Sequence, residues 1–525
     1  MKTIVKIRLS NFKKFTELQV GLDPEMNILI GDNEAGKSSI LTALDLALSG
    51  SKSRIEAVGI ESLMNVDCVS RFMASARNVG DLPTMFVEIY LNEQGNPDLF
   101  GENNSLKENC DGLLMLCAPM DEFGKEIKQI LEQEGDNFPF EYYAVRFLTF
   151  ADQPYSGYTK HLRHLLIDSS QINHDYATRE YTKSMYGAHA SMPQRYKFQN
   201  EYRKHKTQFK TDVLTELNDS LSEYKFSVRN NAKSNLETDL VITEDDIPIE
   251  NKGKGKQCLV KTEFALTKNT SGAVTLDTIL LEEPENHLSH LNTKKLIRTI
   301  QESETKQVFV ATHSSLICTR LDLRKIVMMN SSSAVPLLLS GLTPETADFF
   351  MKAPDNNVLE FILSKKVVLV EGDAEFILME EFYKKVAGGK PPDQEDVHVI
   401  SVGGTSFKRY LELAKLLGIK TAVVRDNDGD YPKNCVDNYS AFTTGSSSIK
   451  VFADTDNLRK TFEVCMYADN TAVCEALFGA GRKTLPVNEY MLKNKADAAF
   501  ELLKEKESDL VVPAYIQEAI AWVRA

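Results

Sequence analysis

The sequence predicts an α/β protein in two parts: a split α/β unit carrying a helical insertion, then a separate parallel-sheet domain. Three runs carry that prediction. The apolar strand at 27–30 enters a Gly-rich turn, 31–39, which opens the apolar-periodic helix at 40–48. A second apolar strand, 276–281, ends in Glu282 and Glu283, and a third, 307–311, ends in Thr312-His-Ser-Ser315. From the strand at 366–370 onward, strand and helix patterns alternate to the last residue, as βα units do. At 525 residues the chain is too long for a single core.

In the first part, assigned to 1–151, alternating apolar residues place strands at 3–9, 16–20 and 85–91, with a turn around 11–15. Residues 110–150 hold apolar runs around an acidic helical piece at 121–134 and finish in a strand at 143–150. The insertion, 152–235, is polar and mostly helical in pattern. Phe209, Val213, Leu214, Leu217, Leu221 and Tyr224 recur there at three- and four-residue spacing. Arg195, Lys197, Arg203, Lys204, Lys206 and Lys210 interleave with Tyr196, Phe198 and Tyr202. A DNA-contacting helix fits that mixture, and a solvated face or dimer contact fits it better. The α/β unit resumes over 236–350, and the C-terminal domain covers 360–525.

The turn at 31–39 has the G-x-x-x-x-G-K-S spacing of a phosphate-binding loop, in the strand–turn–helix context that such a loop needs. Gly36 lets backbone N–H groups wrap a phosphate, Asn33 and Ser39 complete the loop, Lys37 reaches the β- and γ-phosphates, and Ser38 offers a hydroxyl to Mg²⁺. ATP with Mg²⁺ is the expected ligand pair. Glu282 is the metal-side acid and Glu283 the general base; two acids capping the following helix, with Pro284 in its first turn, is the plainer alternative. His313 is expected beside the γ-phosphate, because one helix and one strand separate it from Glu283. Gly253 and Gly255, in Asn251-Lys-Gly-Lys-Gly-Lys-Gln257, form an anion-binding nest at a helix start or else a flexible loop.

A second constellation lies in the C-terminal domain. Glu371 follows the strand at 366–370, and Glu375 lies one turn into the next helix. The strand at 419–424 ends in Arg425-Asp-Asn-Asp-Gly-Asp430, so Asp426 and Asp428 project from the same sheet edge as Glu371. Convergent carboxylates at such an edge suit a hard divalent cation, Mg²⁺ or Mn²⁺. A calcium loop is the alternative, but its twelfth position is Asp437 where Glu is required.

In order and content the first set of motifs resembles an ABC-type ATPase head of the SMC/RecF kind. Ile7-Arg-Leu-Ser-Asn-Phe-Lys-Lys-Phe15 and 31–39 match its beginning, Glu282-Glu-Pro-Glu-Asn-His-Leu288 its Walker B and D-loop, and His313 its switch histidine. The resemblance implies two heads sandwiching ATP, with 253–257 as a signature loop that departs from L-S-G-G-Q. Glu371 followed by Asp426-Asn-Asp428 resembles a Toprim domain, whose sheet turn is matched by Val402-Gly-Gly404. An ABC head joined to a C-terminal Toprim domain resembles the OLD (overcoming lysogenisation defect) family of ATP-dependent endonucleases. That family implies a two-metal nuclease in which Glu375 and Glu463 hold the second ion and Lys495 assists. It also implies DNA as substrate, a homodimer or higher homo-oligomer built through the insertion, and antiphage defence with a partner protein or nucleic acid. Arg425 stands where an apolar residue is common, and is expected to touch DNA phosphate.

Bulk properties narrow the alternatives. There is no run of eighteen apolar residues and no signal peptide, so no membrane and a cytoplasmic location are expected. The eight cysteines include no C-x-x-C pair, which argues against structural zinc and a disulfide framework. A net charge of −14 requires any nucleic-acid contact to use locally concentrated positive charge. The rival reading is an ATP-gated, non-catalytic DNA scaffold, which gains nothing from a full set of clustered acids.

Overall fold

The computed structural model describes residues 2–525 except 93–94, 134, 136, 158, 173–174, 230–234, 268–275, 304–305, 331–332, 354–356, 405 and 480–484. They form two compact units, Met1–Ile317 with Lys325–Leu337, and Cys318–Arg324 with Leu338–Ala525.

The first unit contains two sheets around one helix. A hairpin of Ile4–Phe12 and Phe15–Gly21 joins Met85–Leu91, Cys110–Pro119 and Tyr143–Thr149 in an antiparallel sheet. The parallel sheet comprises β1 (Met26–Gly31), β2 (His164–Asp168), β3 (Thr278–Glu282), β4 (Gln307–Ala311) and β5 (Ile326–Asn330), in the order β5-β1-β4-β3-β2. Helix α1 (Lys37–Ser49) packs against strands of both sheets, which is why Ile40, Leu41, Leu44, Leu46 and Leu48 are all buried although they encircle the helix. Gln307 ties the sheets together: its amide oxygen accepts from the Ile4 N–H at 2.8 Å, and its amide nitrogen donates to the Ile4 and Asp23 carbonyls at 2.7 Å each. Since the residue is fully buried, these bonds satisfy groups that would otherwise be orphaned.

Strand β2 corrects the expectation that 152–235 is a helical insertion. His164-Leu-Leu-Ile-Asp168 is an edge strand of the first unit's parallel sheet, in register with β3 from Thr278↔His164 to Glu282↔Asp168. Helical structure begins only with α2 (Asp175–His189) and α3 (Met192–Asp212). Helix α3 buries none of its residues, and Phe209, Val213, Leu217 and Tyr224 of the periodic stripe are exposed. Helix α4 (Lys254–Leu266) starts where the Gly/Lys run predicts a helix start.

The second unit is a four-stranded parallel sheet, β6 (Lys366–Val370), β7 (Val397–Ser401), β8 (Lys420–Val424) and β9 (Ile449–Phe452), in the order β7-β6-β8-β9. The central strand β6 buries four successive residues, Val367 to Val370, as a strand covered on both faces must. Helices α5 (Asp373–Val386), α6 (Phe462–Asp469), α7 (Lys495–Lys506) and α8 (Ala514–Arg524) supply much of its core through Leu378, Phe382, Phe462, Leu502 and Ile516. The break expected around 353–357 falls inside the second unit, which takes up the chain again at Leu338; of those residues 354–356 are outside the described residues. Among the described residues no helix is long and apolar enough to cross a membrane.

Gly255 is a position where only a missing side chain fits, since a Cβ there would lie 2.1 Å from the His287 carbonyl oxygen. Gly255→Ala is expected to push α4 away from the 285–288 segment and destabilise the first unit by about 1–3 kcal/mol. Chemical denaturation beside the wild type checks it.

Candidate nucleotide and metal sites

The strand order decides what meets the phosphate-binding loop. Strand β4 lies between β1, which leads into the loop, and β3, which ends in the two acids. Residues following all three strands therefore converge at one sheet edge. A cavity of about 480 Å³ opens there, lined by the 33–39 loop, Lys14, Glu282, Glu283, Ala311 and His313. Gly31 and Gly36 have φ of +151° and +100°. A Cβ on Gly31 would lie 2.2 Å from the Met329 carbonyl oxygen, and one on Gly36 would lie 2.3 Å from the Phe15 ring, so the loop's path requires glycine at both positions.

Within the cavity Lys37 donates to the carbonyls of Gly31 at 2.8 Å and Asp32 at 3.1 Å, which curls the loop round its ammonium. Burial pushes the Glu282 carboxyl above its ordinary range, opposed by the Ser38 hydroxyl bonded to it and reinforced by Asp168 and Glu283. Ser38 and Glu282 thus meet where a phosphate-bound cation would sit. Glu283 has φ +44°, and its N–H donates to the Ala311 carbonyl at 2.8 Å. Its carboxylate is held between the Asn286 amide at 2.6 Å and the His313 ring at 3.8 Å. Glu283 and His313 are therefore neighbours, as their spacing predicts.

Two features escaped the sequence reading. Glu285 accepts from the Thr312 hydroxyl at 2.6 Å and from the His313 and Ser314 N–H groups at 3.1 Å each, so it sets the loop that carries His313. Lys14 donates to the Glu34 carbonyl at 2.7 Å and brings a cation to the cavity wall. Gly253 and Gly255 do not line this cavity; Lys256 is 2.8 Å from Glu244, and Gly255 packs beneath 285–288. The helix start is as predicted, and neither glycine lies at the phosphate-binding loop of its own chain.

In the second unit Glu371 and Asp426 end the adjacent strands β6 and β8, and the Asp426 N–H donates to Glu371 at 3.4 Å. The Gly404 N–H donates to the Glu371 carbonyl at 2.9 Å, so the 402–404 turn fixes that strand end. Asp426 also accepts from the Phe462 N–H at 2.7 Å, bringing the start of α6 and its Glu463 to the edge. Lys495 lies 3.0 Å from one Glu463 oxygen; the other is buried without a hydrogen-bond partner. Asp426, Glu375 and Glu463 are 8%, 6% and 4% exposed.

These acids oppose one another's ionisation. Burial, then Glu375, Glu371 and Glu463, push the Asp426 carboxyl up to about 8. Burial and the Glu463 and Glu371 charges push Glu375 up to about 7. Burial also raises Glu371. Burial disfavours a charged Lys495, but Glu463, Asp426 and Glu375 together hold its pKa above the ordinary value. Among the described residues no three His, Cys, Asp or Glu side chains form a ready-made metal cage. The donor set nevertheless fits a hard divalent cation: all oxygen, buried, mutually repelling, with one unpartnered carboxylate oxygen.

Arg425 does not face outward. It is 8% exposed and donates to the Asp426 and Asn434 carbonyls, the Tyr439 hydroxyl and Asp428. The expected phosphate contact is thereby corrected to a clamp on the Asp426–Asp428 turn. Asp428, at φ +53°, is half exposed and held by that clamp at 2.8 Å. Asn427, unnoticed in the sequence, is buried and donates to the carbonyls of Asp454, Asp456 and Arg459, lacing the next loop to the turn.

The raised carboxyls have a definite sign. The folded chain retains protons on Asp426 and Glu375 that the unfolded chain has released, so their contribution is full below about pH 4 and is lost as pH rises through about 7 and 8. In EDTA, Asp426→Asn is expected to gain Tm relative to wild type between pH 5 and pH 8, and Mg²⁺ to raise wild-type Tm more at pH 8. A Tm difference that does not change with pH would contradict the shift.

Comparison with known proteins follows the same division. The AAA domain family matches residues 6–334, and the family described as overcoming lysogenization defect protein-like, TOPRIM domain, matches 362–428. Among solved structures, an SMC head bound to the C-terminal winged-helix domain of ScpA aligns at 14% identity, covering 64% of this chain and 97% of its own, with TM-score 0.35. The C-terminal region of the Xanthomonas campestris pv. campestris OLD protein aligns at 21%, covering 31% and 94%, with TM-score 0.24. That of Burkholderia pseudomallei OLD aligns at 20%, covering 31% and 97%, with TM-score 0.26. No curated protein matches the chain. The chain belongs to the AAA domain family, whose match spans most of its length, and carries a C-terminal OLD-like TOPRIM domain.

Proposed function

We propose that the protein is an ATP-hydrolysing, divalent-metal-dependent endonuclease that cuts DNA. The observation that carries this reading is the cluster of three buried acids, Glu375, Asp426 and Glu463, with the half-buried Glu371, at the carboxyl edge of the TOPRIM sheet. Two Mg²⁺ or Mn²⁺ ions, when bound, supply an activated water and charge stabilisation for the attacking and leaving oxygens. Glu371 and Asp426 would hold one ion, with Asp428 at the rim, and Glu375 and Glu463 the other. Lys495 would move from Glu463 to a phosphate oxygen once a cation takes its place.

In the first unit Lys37 and the 33–39 loop would bind the ATP phosphates, Ser38 and Glu282 would hold Mg²⁺, Glu283 would serve as general base for the attacking water and His313 would contact the γ-phosphate. Gly253 and Gly255 would serve the loop of a second copy, which fits their absence from their own chain's cavity. The exposed stripe of Phe209, Val213, Leu217 and Tyr224 supports a homodimer or larger assembly formed through the 152–235 insertion. We place the activity in the cytoplasm, in antiphage defence, with a partner protein or nucleic acid as trigger.

Supercoiled plasmid with Mg²⁺ or Mn²⁺, with and without ATP, tests the reading. Wild-type nicking is expected, with Asp426→Ala losing at least 100-fold of it while keeping ATP hydrolysis. Lys37→Ala and Glu283→Gln are expected to lose ATP hydrolysis instead. Undiminished nicking by Asp426→Ala would remove the TOPRIM site as the nuclease. Nucleotide-dependent assembly with no nicking under any condition would favour the scaffold.

A further inference from the structure

A second cavity in the first unit belongs to none of the sites above. It has a volume of about 1390 Å³ and runs along the free side of edge strand β2, between α1's C-terminal end and the insertion helices α2 and α3. In a chain of net charge −14, its walls carry seven Lys and Arg against four Asp and Glu. Two of those acids are already spent. Asp45 is 2.7 Å from Arg54 and 3.0 Å from the buried His164, and Glu237 is 2.5 Å from Arg195.

The remaining cations crowd one another. Burial, then Arg54 and Arg163, disfavour the charged form of Lys160, while Asp45 and Glu180 only partly compensate. Arg163 is likewise disfavoured by burial and by Arg195, with Asp277 opposing. Like charges gathered in a walled basin carry a cost that an anion would remove, the mirror image of the acid cluster in the second unit. Extended nucleic acid calls for cations strung along a track. Here Lys160 and Arg163 line one basin, beside the Asp45-paired Arg54, which matches a compact anion of high charge.

We propose that this basin binds a small polyphosphate-bearing ligand, a nucleotide or related oligophosphate, at a site separate from the 31–39 loop. Arg54 bridges the basin to Asp45 on α1, so the ligand would lie one helix length from that loop. The proposal does not depend on the nuclease reading.

Calorimetric titration of inorganic tripolyphosphate into Lys37→Ala, in which the loop's own phosphate contact is removed, tests it. The Lys37→Ala protein is expected to retain one site, and Lys160→Glu added to it to weaken that site at least tenfold. Arg163 keeps its neighbour Asp277 in that variant, and an unchanged circular dichroism spectrum confirms folding. No binding by Lys37→Ala, binding unaltered by Lys160→Glu, or binding of a single-stranded oligonucleotide in place of tripolyphosphate would each overturn the proposal.

Discussion

Partly or fully buried carboxylates at the carboxyl ends of parallel strands are the constraint on which both units depend. Glu282 ends β3 and is raised by burial; Glu371 and Asp426 follow β6 and β8 and are also raised by burial, with Asp428 adding to Glu371 and Glu375, Glu371 and Glu463 adding to Asp426. In a medium of low polarity such groups remain charged only when a cation is near. The first unit supplies Ser38 and the loop that brings a nucleotide's metal. In the second, Lys495 is shared among Glu463, Asp426, Glu375 and Glu371, Arg425 is shared between Glu371 and Asp428, and one Glu463 oxygen has no hydrogen-bond partner. The imbalance supports the proposal that the second unit holds a metal ion rather than an ion-pair network.

Each acid is aimed by backbone more than by side-chain neighbours. Strand β4 inserted between β1 and β3 brings His313 to Glu283, and Glu285 fixes the loop between them. In the second unit Arg425 and Asn427 do the equivalent work. One clamps the Asp426–Asp428 turn from inside, and the other ties it to the carbonyls of 454–459. Both are buried polar groups fully engaged in hydrogen bonds, so replacing either would leave orphaned partners next to the acids.

Much of this was legible in the sequence because motif and secondary structure coincide. The 31–39 loop, Glu282–Glu283, Glu371 and Asp426 each sit where an apolar run stops, and strand ends at 311, 370 and 424 fall where the pattern puts them. What was hidden depended on pairing. The five residues of β2 are too few for a periodicity signal amid polar sequence, and only registry with β3 makes them a strand. Arg425 reads as a surface cation next to acids, yet Tyr439 and Asn434, nine to fourteen residues on, draw it inward. The basic basin is assembled from segments spread over 45–276, so no local run reveals it.

The central claim is that the TOPRIM acids bind divalent metal without help from the nucleotide site. Electron paramagnetic resonance titration of Mn²⁺, without ATP, into wild type, Lys37→Ala and Asp426→Asn measures it directly. Equal binding by wild type and Lys37→Ala, with loss in Asp426→Asn, is the result expected. Binding that survives Asp426→Asn would contradict the claim and place the cation elsewhere.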